Sequence, residues 1–354
     1  MSRWYQLTVT PTSDTGEAAT PIVWQNKVGG KALLSAQMIE FDLTTVAGAL
    51  PAAGSWIRVW GPSKEQIQQA ANFNGAAIEL YGGMQTGLPL ATNAAQKNQG
   101  GLLVKGIVWQ AFGNWQGITQ TLDFVIVSAP YDTPLQSDDA RQAATVGAPP
   151  PPQNFSFNWK QGTSLIANVT AVLQQAYPGV TVDVNAATSG LTLLHDEASV
   201  FTDVRTFALY VQGLSRDLKG PTYAGLNIVG DNAKFTIYDN TVPATDVIDV
   251  TMLDLMGNVT WLDAATVQFS TVLRADIKIG DIVTFPPLAQ AQAITSASSQ
   301  SNARTKTTFD GQWQINNYVR HVGNSRAPDA QSWVSIFEAS PLVADFEGEA
   351  PDGQ

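Results

Sequence analysis

The residues best suited to chemistry are few. His195, Asp196 and Glu197 stand in a row and form the densest titratable cluster, and Asp138 and Asp139 form the next. A glycosidase needs two carboxyl groups flanking the scissile bond, one to protonate the leaving oxygen and one to attack or to activate water. Adjacent carboxylates more often occupy a solvated turn, and neither cluster sits in a lytic-enzyme motif. With no Cys in the chain, disulfides, thiolate metal sites and Cys nucleophiles are excluded. A multi-histidine zinc site would have to recruit both histidines, His195 and His321, together with carboxylates. His321 lies between Arg320 and Val322 in a strand-like stretch, where a structural hydrogen bond within or between chains fits better than general-base duty. Neither a Gly-x-Gly-x-x-Gly turn nor a phosphate loop occurs. Trp56, Trp60, Trp109 and Trp115 offer flat faces that suit either sugar stacking or a β-domain's core and interfaces. No catalytic, metal or cofactor-binding residue is assigned, and no cofactor is implied.

Composition narrows the partners. Of 354 residues only 14% are charged, against about 25% in an average soluble domain. Hydrophobic residues make up 44%, enough to exclude wholesale disorder, and a surface so poor in charge suits burial against neighbouring subunits. The formal net charge is −11. Tight nucleic-acid binding draws on Lys and Arg to release counterions, so this balance opposes it while permitting DNA to slide past. Lys and Arg are scattered and form no basic stripe. Met1–Tyr5 is not followed by an apolar signal core, and no run reaches the ~18 apolar residues of a membrane span; the expected compartment is cytoplasm-like.

The elements that must position these residues are mostly strands. Residues 1–135 read as a first β-domain, with strands at 34–41, 55–60, 77–81, 101–112 and 118–127, and Gly113–Gly117 as a hairpin signal. Ser63 caps a short helix over Glu65–Ala71. Residues 136–154 form a linker whose four prolines, Pro149–Pro152, favour an extended spacer. Residues 155–243 form a small α/β module: helical spacing over Leu165–Tyr177 and Val204–Leu218, then a hairpin through Gly230-Asp231-Asn232. Residues 244–343 return to strands at 247–255, 266–274, 281–285, 312–322 and 332–339, interrupted by a long excursion at 289–308. Residues 344–354 are an acidic tail.

A weak duplication links the two β-regions. Ile107–Asn114 ends in Gly113-Asn114, and its return strand Phe124–Ala129 closes on Pro130. Asn317–Asn324 ends in Gly323-Asn324, and its return strand Ser335–Ser340 closes on Pro341. Upstream, Gly54–Pro62 matches Gly280–Pro286. Three chains that each carry two similar domains present six similar units around a ring, and so adapt threefold to sixfold symmetry.

On these residues the chain resembles a known family. Val267–Asp281 and Tyr318–Arg326 with Ser332-Trp333-Val334 are similar to the baseplate hubs of phage tails, a family related to the late control protein D group and to the hubs of contractile injection systems. The resemblance runs from about residue 30 to 343 in pattern and domain order. It implies a mainly β (α+β) fold in which two tube-like β-barrel domains flank the α/β module. It also implies a non-enzymatic, homotrimeric, pseudo-hexameric adapter joining the hexameric tail tube to a central spike, with a lumen for the tape measure protein and for DNA that passes without specific binding. The protein would belong to the virion, be assembled in the host cytoplasm and meet the host envelope only indirectly. Edge strands are natural subunit contacts, which points to the segments 37–42 and 267–274 and the turns at Asn114 and Asn324. Within these, Gln37, Glu40, Asp42, Asn114, Gln268, Thr271, Arg274 and Asn324 are the expected interface residues, and the 289–308 loop is expected to reach a neighbouring subunit. A cell-wall carbohydrate-binding or hydrolytic β-protein remains the alternative, as does the hub of a related secretion or injection system.

Overall fold

A computed structural model describes residues 3–11, 20–47, 55–84, 99–128, 155–177, 180–187, 189–220, 223–232, 234–239, 241, 247–263, 265–286, 309 and 311–342. The Pro-rich linker, Asp138 and Asp139, the 289–308 excursion and the acidic tail lie outside the described residues.

The first region contains strands β1 (Arg3–Thr10), β2 (Ile22–Gln25), β3 (Lys27–Val28), β4 (Lys31–Ala32), β5 (Ile39–Val46) and β6 (Ser55–Trp60). Helix α1 (Lys64–Gln68) follows, then β7 (Ala77–Met84), β8 (Gly101–Gln116) and β9 (Thr119–Val127). Ser63 caps α1 through the Gln66 N–H, and the Gln66 side chain returns a bond to the Ser63 N–H, a reciprocal box that satisfies two otherwise orphaned donors. The strands alternate cleanly. In β6 Ser55, Ile57 and Val59 are buried while Trp56, Arg58 and Trp60 point outward, the period of two that a one-sided sheet imposes.

The middle region holds β10 (Phe155–Trp159), α2 (Leu165–Ala176), β11 (Thr181–Asn185), β12 (Glu197–Phe201), α3 (Val204–Lys219), β13 (Asn227–Asp231) and β14 (Lys234–Tyr238). Ser164 and Asp203 cap the two helices through the N–H groups of Ala167 and Thr206. Their apolar stripes, Leu165, Ile166, Val169 and Leu173 on α2 and Phe207, Ala208 and Val211 on α3, meet in a core drawn wholly from residues 155–237.

The last region contains β15 (Val247–Asp249), β16 (Thr260–Trp261), β17 (Val267–Val272), β18 (Ile282–Thr284), β19 (Trp313–Asn324) and β20 (Trp333–Pro341). Its core stacks Phe269 on Phe337 with centroids 5.0 Å apart and packs Phe285, Phe309 and Trp313 beside them.

One sheet runs through the first and last regions in the order β16-β17-β20-β19-β5-β6-β9-β8-β7-β1-β2, with β18 and β15 off the path. The fold is mainly β, but the described strands do not close into barrels, because β16 and β2 stand at the ends of an open path. Two runs within it share one topology. In sequence order β5, β6, β8, β9 and β16, β17, β19, β20 each lie side by side with the last two exchanged, and every neighbouring pair is antiparallel. The hairpins β8–β9 and β19–β20 each carry a register slip, between Val108 and Gln110 in one and between Ile315 and Val319 in the other.

The structure corrects several expectations. The Gly-Asn pairs are not turns: Gly113-Asn114 lies inside β8 and Gly323-Asn324 ends β19. Glycine is required at these points by close approach. A Cβ on Gly323 would sit 2.1 Å from the Phe41 ring, and one on Gly113 would sit 2.4 Å from the Ile67 carbonyl oxygen. The upstream match of 54–62 with 280–286 also fails in topology. β6 pairs with the returning strand β9, whereas β18 pairs with the outgoing strand β19; the strand that pairs β20 as β6 pairs β9 is β17. Finally, β5 begins at Ile39 rather than Leu34 and is interior, held between β6 and β19.

Gly323→Ala is expected to lower unfolding stability by about 1–3 kcal/mol through overpacking against Phe41, measured by urea denaturation; an unchanged midpoint would show that the ring moves aside freely.

Candidate assembly surface

The outward face of the shared sheet carries most of the residues expected at a subunit interface. Pairing registers place Gln268 and Ser270 of β17 next to Glu338 and Ile336 of β20, then Arg320 and Asn324 of β19 against Thr44 and Glu40 of β5, and then Arg58 of β6 beside Asp123 of β9. Two arginine–aspartate pairs are fixed on it. Arg320 donates from Nε and a terminal nitrogen to both Asp42 oxygens at 2.7 and 2.5 Å, and Arg58 does the same to Asp123 at 2.6 and 3.2 Å. The Asp42 hydrogen bonds push the Arg320 guanidinium further above its ordinary range. Asn324 donates to Glu40 at 2.6 Å and Asn114 to Asp123 at 2.9 Å. Four carboxylates (Glu40, Asp42, Asp123, Glu338) against two guanidiniums leave these strands with a net negative face.

The expected interface residues are therefore mostly occupied within the chain. Glu40, Asp42 and Asn324 hold β5 to β19, and Asn114 braces β9. Thr271 and Arg274 are buried. The Arg274 guanidinium grips Asp276 at 2.7 Å through two nitrogens and stands 3.7 Å from Asp254. The Gln37 carbonyl accepts from the Tyr5 hydroxyl. Gln268 lies beside the short edge strand β16. The segment 37–42 is not an edge, and β17 has β16 and residues 254–256 along its outer side.

The residues singled out for chemistry are likewise spoken for. Asp196 accepts from Lys160 Nζ at 2.7 Å and from the Gln161 N–H at 2.9 Å, bonds that hold its carboxyl below the usual range. Glu197 accepts from the Tyr210 hydroxyl at 2.8 Å and lies 2.7 Å from His195. Both carboxylates are thus anchored to different parts of the middle region instead of flanking a cleft. On β6 the Arg58 guanidinium lies 5.6 Å from the Trp56 ring and 5.7 Å from the Trp60 ring, engaging one face of each.

One pair has the outward form of a nucleophile and its base: His321 Nδ1 is 2.8 Å from Ser335 Oγ. Ser335, however, is fully buried, and its hydroxyl accepts from the Arg274 N–H and donates to the Arg274 carbonyl, each at 3.1 Å. With that proton committed, Nδ1–H donates to Oγ and the pair locks β19, β20 and the 273–275 segment together. The sequence pointed to a structural hydrogen bond at His321, which this interstrand lock supplies, but not to the Arg58–Asp123 fork or the four bonds from Arg3 to Asn324, Ala327, Asp329 and Ser332. The β6 alternation that sets Arg58 between two tryptophans was the available signal for one of them. His321 also lines a crevice with Asp231, Lys278, Thr45 and Val319 that leaves about 20 Å³ inside, room for a water or two rather than a substrate. No group of three or more His, Asp or Glu suited to a metal occurs among the described residues, and no helix there is long and apolar enough to cross a membrane.

No family model and no curated protein matches the chain. Similar solved structures are the tail protein of Neisseria meningitidis MC58 (8% identity, 97% of this chain and 98% of that one, TM-score 0.44) and the 43 kDa tail protein of prophage MuSo2 from Shewanella oneidensis (7%, 96% and 99%, 0.48). A chain of the Francisella PdpA–VgrG complex is also similar (8%, all of this chain and 60% of that one, 0.47).

Burial, with Lys278 adding to it, holds the His321 pKa down to about 4. Between pH 6.5 and 4 the unfolded chain then binds a proton that the folded chain refuses, so this group withdraws stability as pH falls through that window. Asp231 and Asp281, raised mainly by burial, act in the opposite sense. His321→Gln is therefore expected to lose less stability than the parent on going from pH 7 to pH 4, by up to about 3 kcal/mol, read from urea midpoints across pH. Parallel pH profiles would show that folding leaves the His321 pKa unshifted.

Proposed function

We propose that this chain is a structural adapter of a phage tail, a baseplate hub whose two similar β-units let three copies present six units to the tail tube. The observation that carries this reading is the repeated strand order β5-β6-β9-β8 and β16-β17-β20-β19, laid end to end in one sheet with unbroken antiparallel alternation. Each chain supplies eight strands. At about 4.8 Å per strand, three chains span roughly 115 Å of circumference, on the order of 35 Å across, and strand tilt widens this further.

In this reading the polar outward face lines the lumen. Its fixed ion pairs and surplus of carboxylates repel phosphate and give a tape measure protein or DNA nothing to grip. The opposite face supplies the apolar cores, and the middle α/β region hangs beside the ring. The β-units correspond to the domains drawn at 1–135 and 244–343, with the module at 155–243 between them. The tube protein meets the sixfold side and a spike protein the threefold side. A carbohydrate-active reading has less support, because both acidic residues of its best cluster and one face each of Trp56 and Trp60 are engaged within the chain.

Light scattering of the purified protein is expected to give three times the 37.8 kDa chain mass, and electron micrographs a threefold ring with a central hole. A monomer at concentrations that also hold tube protein, or peptidoglycan zymography activity abolished by Glu197→Gln, would overturn the assignment.

A further inference from the structure

The two β-units meet in one way inside the chain: the end strand of one, β19, pairs with the first strand of the other, β5. The matching two edges are left over at the far ends of the eight-strand run. β8 outruns its neighbour, for β7 pairs only Gly101–Ile107, and residues 74–76 bond Val108 and Ala111. Beyond that point Phe112–Gln116 pair with β9 alone among the described strands. This end is apolar: Phe112 is 42% exposed, Trp115 53% and Ile118 fully.

At the opposite end, residues 254–256 run along β17. The Met256 N–H donates to the Ser270 carbonyl at 2.8 Å, the Val272 N–H donates to the Asp254 carbonyl at 3.0 Å, and Leu255 bridges Thr271. Their outer side is flanked by Met252, Leu253 and Leu262, 43–59% exposed. Charge differs between the ends as well. Lys64 Nζ stands 4.9 Å over the Trp115 ring, while at the β16 end Glu338 is raised by burial and by the nearby Asp263 carboxylate.

The pairings fix how the units correspond. Gly113 faces Leu122 as Gly323 faces Trp333, and Leu122 faces Val59 as Trp333 meets Leu273. Phe112 therefore stands where Val322 stands. Trp56 corresponds to Ser270, so Met256, the outer neighbour of Ser270, stands where Asp42 stands beside Trp56. Within the chain Val322 pairs with Asp42. We propose that copies of this chain join head to tail by the same rule, the Phe112–Gln116 edge of one pairing antiparallel with the 254–256 edge of the next and Phe112 falling opposite Met256. The joint is heterologous, so it closes only as a ring; its closure after three copies rests on the adapter reading above.

The chain has no cysteine, which makes cross-linking clean. The double variant Phe112→Cys with Met256→Cys, oxidised as the assembled protein, is expected to give covalent dimers and trimers on a non-reducing gel and nothing larger. Each single variant alone should stay monomeric on that gel, and an equal mixture of the two should give dimers. Val322→Cys with Asp42→Cys, the template pair, serves as the control and should form its disulfide within one chain. A light-scattering trimer in which the control pair closes and the 112–256 pair does not would overturn the joint while leaving the ring intact. A parent protein that is monomeric throughout would overturn both.

Discussion

The pairing of β5 with β19 is the interaction on which the rest of the structure depends. It joins residues 40–46 to residues 318–324 in a seven-residue antiparallel register, closing a loop of most of the chain. The entropy of such a closure grows only slowly with length, but it must be offset locally. The Arg320–Asp42 fork contributes little, because both side chains are partly solvated. The ladder itself and the apolar contact beneath it carry the joint: Phe41 lies over Gly323 and packs edge-on against Trp333 at 5.3 Å, and the Trp333 indole N–H donates to the Gly83 carbonyl. Arg3, from the first strand, then reaches the 324–332 turn with four hydrogen bonds and lies 5.7 Å from the Trp333 ring.

The middle region is tied to both halves of that joint. At the β13–β14 turn Asn232 takes a left-handed conformation, φ 51°, one that asparagine tolerates better than most residues. There its side-chain oxygen accepts the Lys105 N–H at 2.6 Å. Tyr238 donates to the Asn316 carbonyl at 2.8 Å, and Gln314 donates to the Asp239 carbonyl at 3.0 Å. A segment with its own core is thus tied to the sheet, among the described residues, through the β13–β14 hairpin and the adjoining Asp239.

Local features were legible in the sequence, and long-range ones were not. The helices over Leu165–Ala176 and Val204–Lys219 followed from periodicity and caps, and the β8–β9 and β19–β20 hairpins from alternation and Gly. β16, only two residues long, carries no periodic signal. The Gly-Asn pairs read as turns in the sequence but mark points of close approach in the structure. Glycine is needed there because an aromatic ring or a helix carbonyl presses on the strand, and that pressure comes from a neighbour distant in sequence. The same limit explains the mismatched upstream strands. Gly54–Pro62 and Gly280–Pro286 share punctuation, and punctuation marks where strands end without saying which strand they join. Glu40, Asp42 and Asn324 lie at a junction between β-units within the chain, a long-range pairing that no local pattern reveals.

On the ring reading proposed above, that internal junction is what would make a chain with two similar β-units a useful building block. Six separate units would need six bimolecular joints to close a ring. Fusing them in pairs makes three of those joints intramolecular, where tethering holds the partner edges at an effective concentration on the order of millimolar. The fused joint can then specialise. β19 and β5 carry the forked ion pair and the Phe41–Gly323 contact, fixed once at folding. The outer edges keep Phe112, Trp115, Leu253 and Met252 exposed, where the proposed joint would cover them. A content of 14% charged residues fits that proposal, since strands that end against other strands have little use for solvated side chains.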